Sequence, residues 1–489
     1  MFIRQSKNSF IRKIGEFGYI VNEVTRTDRL FNETGADFLE MISRKPQDID
    51  TMVSKLRILY GDSVALEELR ADFLAFVKDL EENMFIVVGD SEEELDSKDY
   101  SFSYSMGNPK RLLEKRHSTH LSQEVMSTTD LLQNLLRKEP QLMSMLVEIN
   151  AGCNERCIHC YLPNQKKDTN TKLPLRTFKK LVDEYAQLGG IGIVLSGGEA
   201  FLHPNIVEMI KYAKSKDLFV TVLSNLTPMK DEHVKVLRDE RVLVQTSLYS
   251  VHPEVHDFIT KVKGSCNRTK DAIEKLVSAD VPVQISCPIM RANYKEYGEV
   301  IRYARDHGCK NQTDFILMAQ ADMDTKNLAN RPTVDEVEYV LQDILNNDMD
   351  YRQAVIESAS EELSDYLHSE LFLNQPICGA GTGDCCITVN GDVYPCAGWQ
   401  RMVVGNINKQ SLKDIWTNSE SLKEIRSITQ RDFAQCVDCE ALKYCSRCLV
   451  RNYNEGDGDM KAINPHFCDV AFLNKKVVEH FLEEQRNVN

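Results

Sequence analysis

Residues 151–163 read AGCNERCIHCYLP, and the meaning of this stretch decides the fold. Cys153, Cys157 and Cys160 crowd three thiols into eight positions. They cannot all pair with one another, and three thiols are one short of a four-cysteine metal site. The preceding residues, MLVEIN (145–150), have the apolar character of a strand, so the thiols fall in a loop at its C-terminal end.

Working outward, strand and helix patterns alternate. LRTFKKLVDEYAQLG reads as a helix, GIGIVLSGG as a strand, IVEMIKYAKSKD as a helix and LFVTVLSN as a strand. VLVQTSLYS, PVQISCPIM and TDFILMAQ follow as further strands with helices between them. Six such repeats predict an α/β fold with parallel strands, a partial (β/α)6 TIM barrel. The polar and cysteine residues sit at the C-terminal ends of its strands, where such folds carry their sites.

Composition limits the function. The chain has 489 residues with 42% hydrophobic content, enough for several packed cores. Its net charge of −15 argues against nucleic acid as the main partner. The N-terminus lacks the apolar segment of a secretory signal, and no apolar run reaches the ~20 residues of a membrane helix, so a cytoplasmic location is expected. Fifteen cysteines in a reducing compartment point to metal or cluster binding rather than disulfides. Cys266, Cys287 and Cys309 stand alone and read as small buried hydrophobes. Nine others lie between 378 and 468.

C-x3-C-x2-C on one loop suits a cubane [4Fe–4S] cluster with three irons bound to the protein and the fourth open. The alternative is a structural zinc site completed by His159 or a distant residue. The next strand ends in LSGGEAFLHP, where Gly197 and Gly198 permit close backbone approach and Glu199 supplies an anion. Together the two motifs resemble the radical S-adenosylmethionine (SAM) family. The resemblance implies that the open iron binds SAM, that His159 stacks near its adenine, and that the GGE motif contacts its ammonium group. It also makes Asn225, Ser247 and Ser286 candidate SAM contacts, a structural role for each remaining open. The Arg that often follows His-Asp in related chains is absent, since His256-Asp257 leads into Phe-Ile-Thr-Lys.

CGAGTGDCCITVNGDVYPCAGW and CVDCEALKYCSRC, with Cys468 beyond, resemble the SPASM auxiliary-cluster domain. Cys445 and Cys448 are separated by two residues where that family usually has three. The resemblance implies two auxiliary [4Fe–4S] clusters. One would use Cys378, Cys396 and Cys448 with Cys385 or Cys386; the other would use Cys436, Cys439, Cys445 and Cys468. Alternatively, one cluster keeps an open iron. A zinc ribbon is the competing structural explanation, although its C-x2-C halves usually lie further apart. Ala397 follows Cys396 where some family members carry an acidic base.

The first hundred residues carry β-rich segments and three helical patterns, with Asp48 or Asp50 able to cap one helix, which suggests a winged-helix-like module. Ahead of this core it resembles a PqqD-like recognition element that grips a leader peptide by β-augmentation. The expected division is 1–105 peptide recognition, 106–144 linker and helix, 145–345 radical SAM core, 346–375 helical bridge, 376–475 SPASM and 476–489 helix end. The resemblance implies a maturase of a ribosomal precursor peptide, with three [4Fe–4S] clusters, SAM, and an electron donor such as flavodoxin or ferredoxin. An intrapeptide thioether is the expected product. Carbon–carbon crosslinking, epimerisation, a non-catalytic iron–sulfur scaffold or a zinc-structured adaptor are the alternatives.

Overall fold

A computed structural model describes residues 1–23, 27–61, 64–99, 132, 135–136, 138–163, 169–357 and 366–488. The N-terminal unit has two small sheets. β1 (Phe2–Gln5) pairs with β5 (Gln47–Asp48) and β6 (Ile86–Gly89). β2 (Ser9–Ile14), β3 (Phe17–Asn22) and β4 (Thr27–Phe31) form an antiparallel meander. Helices Glu33–Glu40, Ile49–Tyr60 and Leu66–Glu82 pack against these sheets around Phe38, Leu56, Phe73 and Leu80. Asp48 caps the second helix, accepting from the amides of Asp50 and Thr51. The helical periodicity places Leu69, Phe73 and Val77 inside, but Leu66, at the helix start, is exposed.

The acidic stretch after residue 90 opens with a helix over Glu92–Lys98. Ser91 caps it and Leu95 is fully buried, so one capped turn with a single apolar anchor outweighs the linker-like composition. Just beyond it Asp99 accepts hydrogen bonds from Arg4 (2.9 Å), Ser6 Oγ (3.1 Å) and the Lys7 amide (3.2 Å). The helix expected in TTDLLQNLLRK lies largely outside the described residues; Leu132, Leu135, Leu136 and Lys138 are helical.

The barrel strands are β7 (Ser144–Asn150), β8 (Gly192–Gly197), β9 (Phe219–Leu223), β10 (Leu243–Ser247), β11 (Val283–Pro288) and β12 (Lys310–Asp314). They are parallel and lie in sequential order, with helices between them, as a partial (β/α)6 barrel requires. β12 comes earlier than the apolar TDFILMAQ predicts. Its residues are polar, while Leu317 leaves the sheet to pack with Tyr249, Ile259 and Met290 near Cys157. Cys266, Cys287 and Cys309 are buried in the barrel core.

The sheet does not end at β7. β13 (Asp384–Ile387) pairs with it in parallel, and β14 (Asp392–Tyr394) and β15 (Gly405–Asn406) extend a nine-stranded sheet. The chain closes with helix Pro465–Val488, packed on helix Val334–Asn347. Among the described residues no helix is long and apolar enough to cross a membrane.

The N-terminal meander docks on the barrel floor. Phe10, Ile14 and Tyr19 pack with Ile191, Phe219 and Leu243, while Arg12 donates to the carbonyls of Gly189 (3.2 Å), Gly190 (3.0 Å) and Asp217 (2.8 Å). Arg44 pairs with the Asp217 carboxylate at 2.9 Å. Asp217 therefore receives two cations from the docked unit.

Asp99→Ala removes the buried one of the two carboxylates that pair with the Arg4 guanidinium, leaving only the half-exposed Asp96, at an expected cost of about 1–3 kcal/mol. Hydrogen exchange should speed up in Phe2–Gln5 and Ile86–Gly89 while the barrel strands stay protected; unchanged protection of β1 would count against this role.

Candidate functional site

The three thiols follow β7 in a loop held from several sides. The amides of Arg156 and Ile158 donate to the carbonyls of Thr260 and Ile259, each at 3.0 Å. Asn327 and Asn330 donate to the carbonyls of His159 (3.2 Å) and Ile158 (3.0 Å). Asn150, at the end of β7, donates to the carbonyls of Gly152 (2.8 Å) and Glu199 (3.0 Å), tying the loop to the GGE turn.

The two glycines do what their residue type suggests. Gly197 has φ +129°, and a Cβ there would stand 2.1 Å from the Asn150 carbonyl oxygen. A Cβ on Gly198 would stand 2.5 Å from the carbonyl oxygens of both Ala151 and Gly152. Only glycine lets the turn after β8 lie flat against the cysteine loop. The Glu199 carboxylate, nearly fully buried, accepts from the Phe201 amide (2.9 Å), Ser224 Oγ (2.7 Å) and the Asn225 amide (2.8 Å). It stitches β8 to the end of β9, and burial raises its pKa.

A cavity of about 210 Å³ opens between these elements. Cys153, Cys157, Cys160, His159, Gly197, Gly198, Asn225 and Ser247 line it. Glu199 and Ser286 do not; Ser286 instead accepts from Gln245 at 2.9 Å. His159 meets Tyr249 edge to face at 5.0 Å, and the Tyr249 hydroxyl donates to Cys157 Sγ at 3.9 Å. Neither Tyr249 nor Glu155 stood out in the sequence. Tyr249 lies only two residues past the end of β10, a position that could have flagged it.

The donors suit a polynuclear iron–sulfur group. Burial pushes the Cys153 thiol up to about 12 and raises the Cys157 thiol well above its ordinary value, with neighbouring thiols adding to both. Glu155 is pushed up to about 7 by burial and by Glu199; its Oε2 accepts from Cys157 Sγ at 3.6 Å, and its buried Oε1 has no hydrogen-bond partner among the described residues. Burial thus holds these thiols neutral, and a bound cation would offset the cost of their ionised, ligating form. Among the described residues no three side chains converge as ligands of a single metal ion would.

The C-terminal thiols fall into two groups. Cys436, Cys439, Cys445 and Cys468 act electrostatically on one another, with Arg447 beside them. Cys378, Cys396 and Cys448 form the other group, together with Asp384. The adjacent pair on β13 separates: Cys385 packs in the barrel core, where it acts on Tyr185, while Cys386 acts on Tyr161 and Tyr394. Tyr161 also senses Cys160 and Cys396, so it stands between the loop thiols and the C-terminal ones.

A second cavity, of about 890 Å³, occupies the lower barrel. Its wall runs from Tyr19, Val21 and Glu23 of the N-terminal unit, past Leu146, Val194 and Gln284, to Cys378 and Asp384. Leu223 and Gln245 belong to the walls of both cavities.

Comparison with known proteins defines the class. Residues 147–304 match the radical SAM superfamily, residues 378–448 the SPASM iron–sulfur cluster-binding domain, and residues 27–86 coenzyme PQQ synthesis protein D (PqqD). The chain thus carries a radical SAM domain, a SPASM domain and a PqqD domain, and the first two support iron–sulfur clusters and SAM as its cofactors. Among its relatives is an AdoMet-dependent heme synthase of Methanosarcina barkeri, 27% identical over 319 residues, covering 63% of this chain and 90% of that protein. Another is the antilisterial bacteriocin subtilosin biosynthesis protein AlbA of Bacillus subtilis, 28% identical over 331 residues, covering 66% of this chain and 71% of that protein. The fold is also that of Streptococcus suis SuiB bound to precursor peptide SuiA, with TM-score 0.60, 16% identity, and coverage of 94% of this chain and 98% of that one.

Gly198→Ala should push the GGE turn off the cysteine loop. A strain of about 1–3 kcal/mol at this contact is expected to lower the iron retained at the loop and cut SAM cleavage at least tenfold. Iron analysis and 5′-deoxyadenosine release measure both, and wild-type values for the variant would show that the contact is dispensable.

Proposed function

We propose that the protein is a maturase that modifies a ribosomally made precursor peptide, forming an intrapeptide thioether between a cysteine sulfur and a carbon of another residue. The observation that carries this reading is the large lower cavity, walled at one end by the PqqD-type unit and at the other by Cys378 and Asp384. A peptide held by the N-terminal unit would have a path into the barrel. The names of AlbA and of the SuiB–SuiA complex support a peptide substrate. The heme synthase aligns over 90% of its own length with only 63% of this chain, so over a third of this chain has no counterpart in that alignment. The SuiB match covers 94% of it.

The leader segment would add a strand to β4, which pairs only with β3 among the described residues. Phe31 at the end of β4 stacks edge to face on Phe76 at 4.9 Å, giving that edge an apolar floor. Cys153, Cys157 and Cys160 would hold a [4Fe–4S] cluster, and His159, Gly197, Gly198, Glu199, Asn225, Ser247 and Ser286 are the proposed SAM contacts, Glu199 and Ser286 from behind the cavity wall. Bound there, the cluster and SAM would supply the radical chemistry needed to take a hydrogen atom from the peptide. The barrel walls position the reacting residue and exclude water. The remaining thiols would hold two auxiliary clusters, making three in all, fed by a donor such as flavodoxin or ferredoxin.

Anaerobically reconstituted protein with SAM, a reductant and the small peptide encoded beside its gene tests the reading. A loss of two hydrogens, with one fewer alkylatable cysteine, is the expected mass change. Unchanged mass with 5′-deoxyadenosine still released would reject crosslinking and favour epimerisation; two hydrogens lost with every thiol still alkylatable would favour a carbon–carbon bond.

A further inference from the structure

We propose that Asp384 is the fourth ligand of the iron–sulfur site formed by Cys378, Cys396 and Cys448, in place of either cysteine that follows it. The local chain is built to bring it there. The amides of Thr382, Gly383 and Asp384 all donate to the Gly379 carbonyl, at 3.0, 2.9 and 3.0 Å, and the Gly381 amide donates back to the Asp384 carbonyl at 3.0 Å. Residues 378–384 thus close into a compact loop that returns the first residue of β13 to Cys378. The carboxylate lies across Gly379, where a Cβ would stand 2.3 Å from Asp384 Oδ2.

The surroundings point the same way. Asp384 acts on both Cys378 and Cys396, each of which also senses Cys448. Asp384 and Cys378 share the wall of the large cavity. The residue is exposed at the start of β13, on the cavity wall beside Cys378. An iron held there would give the carboxylate a cation to bind.

The two cysteines that could compete are aimed elsewhere. Successive residues of a strand point to opposite faces. Cys385 therefore faces the barrel core. Cys386 shares the face of Asp384 but stands one pair further along, opposite Leu146 and Tyr394, and is fully buried. A carboxylate oxygen is a harder donor than a thiolate, so it would hold its iron less firmly, on the side open to the cavity.

The inference rests on the reading that these three thiols hold an auxiliary cluster, and its test does not use the peptide. Full-length protein carrying Cys153→Ala, Cys157→Ala and Cys160→Ala would be reconstituted and reduced, so that only auxiliary clusters give electron paramagnetic resonance and Mössbauer signals. Asp384→Ala should shift the signal of one cluster, Asp384→Cys should keep the iron content but again alter that signal, and Cys385→Ser and Cys386→Ser should match the parent. Parent-like spectra for Asp384→Ala or Asp384→Cys, or loss of one cluster in Cys386→Ser, would overturn the assignment. A wrong peptide or bond type leaves these spectra untouched, whereas a parent without auxiliary iron would overturn the metal site itself.

Discussion

The parallel pairing of β13 with β7 is the constraint on which the rest depends. β7 is the first barrel strand, it carries the cysteine loop at its end, and its far edge is taken by the C-terminal segment. One strand therefore fixes the barrel, the loop thiols and the auxiliary domain relative to one another. The register is demanding. A slip of one residue would exchange the faces of Cys385 and Cys386 and turn Asp384 away from Cys378. The hydrophobic effect guards against the slip, since Cys385 and Ile387 are packed in the barrel core with Met145 and Val147.

The same strand explains why the interior is so acidic. Glu148 on β7 is buried and accepts from Gln400 at 2.6 Å, joining the barrel to the turn after Cys396. Glu155 and Glu199 add two more buried carboxyls near the loop thiols. Burying so many ionisable groups of one sign is unfavourable unless bound cations or hydrogen bonds offset it. Glu199 solves the problem internally with three donors, whereas Glu155 has the Cys157 thiol at 3.6 Å on Oε2 and, among the described residues, no partner on its buried Oε1. The chain thus separates a carboxylate that builds the site, Glu199, from one beside the loop thiols that is only half satisfied, Glu155.

Much of this was legible in the sequence, for identifiable reasons. Barrel strands announce themselves as apolar runs because both their faces are covered, and the glycines of GGE announce a backbone contact that no other residue tolerates. What escaped was set by tertiary context. β1 and β6 are short and pair across more than eighty residues, so no local pattern ties them together. The helix at Glu92–Lys98 has one buried residue and no periodicity to detect. β12 is an edge strand with polar side chains, which ceded the apolar signal to the loop behind it. The face of each residue in Asp384-Cys385-Cys386 needed the register with β7, which no motif encodes.

The C-terminal cysteines show how one spacing carries two meanings. Cys436 and Cys439 are three residues apart, in and just after a helical turn at Ala434–Val437, with the Cys439 amide bonded to the Cys436 carbonyl at 3.2 Å. Side chains so placed share a face, and both thiols join one group. Cys445 and Cys448 have the same spacing but extended backbones, with φ −102°, ψ 121° and φ −148°, ψ 117°. Along extended chain an odd separation points side chains to opposite faces. Cys445 accordingly joins Cys436, Cys439 and Cys468, while Cys448 crosses to Cys378 and Cys396. That divergence forces the two thiol groups to be neighbours, coupled through the two residues between Cys445 and Cys448, and it leaves Cys378, Cys396 and Cys448 as a group of three thiols beside the start of β13.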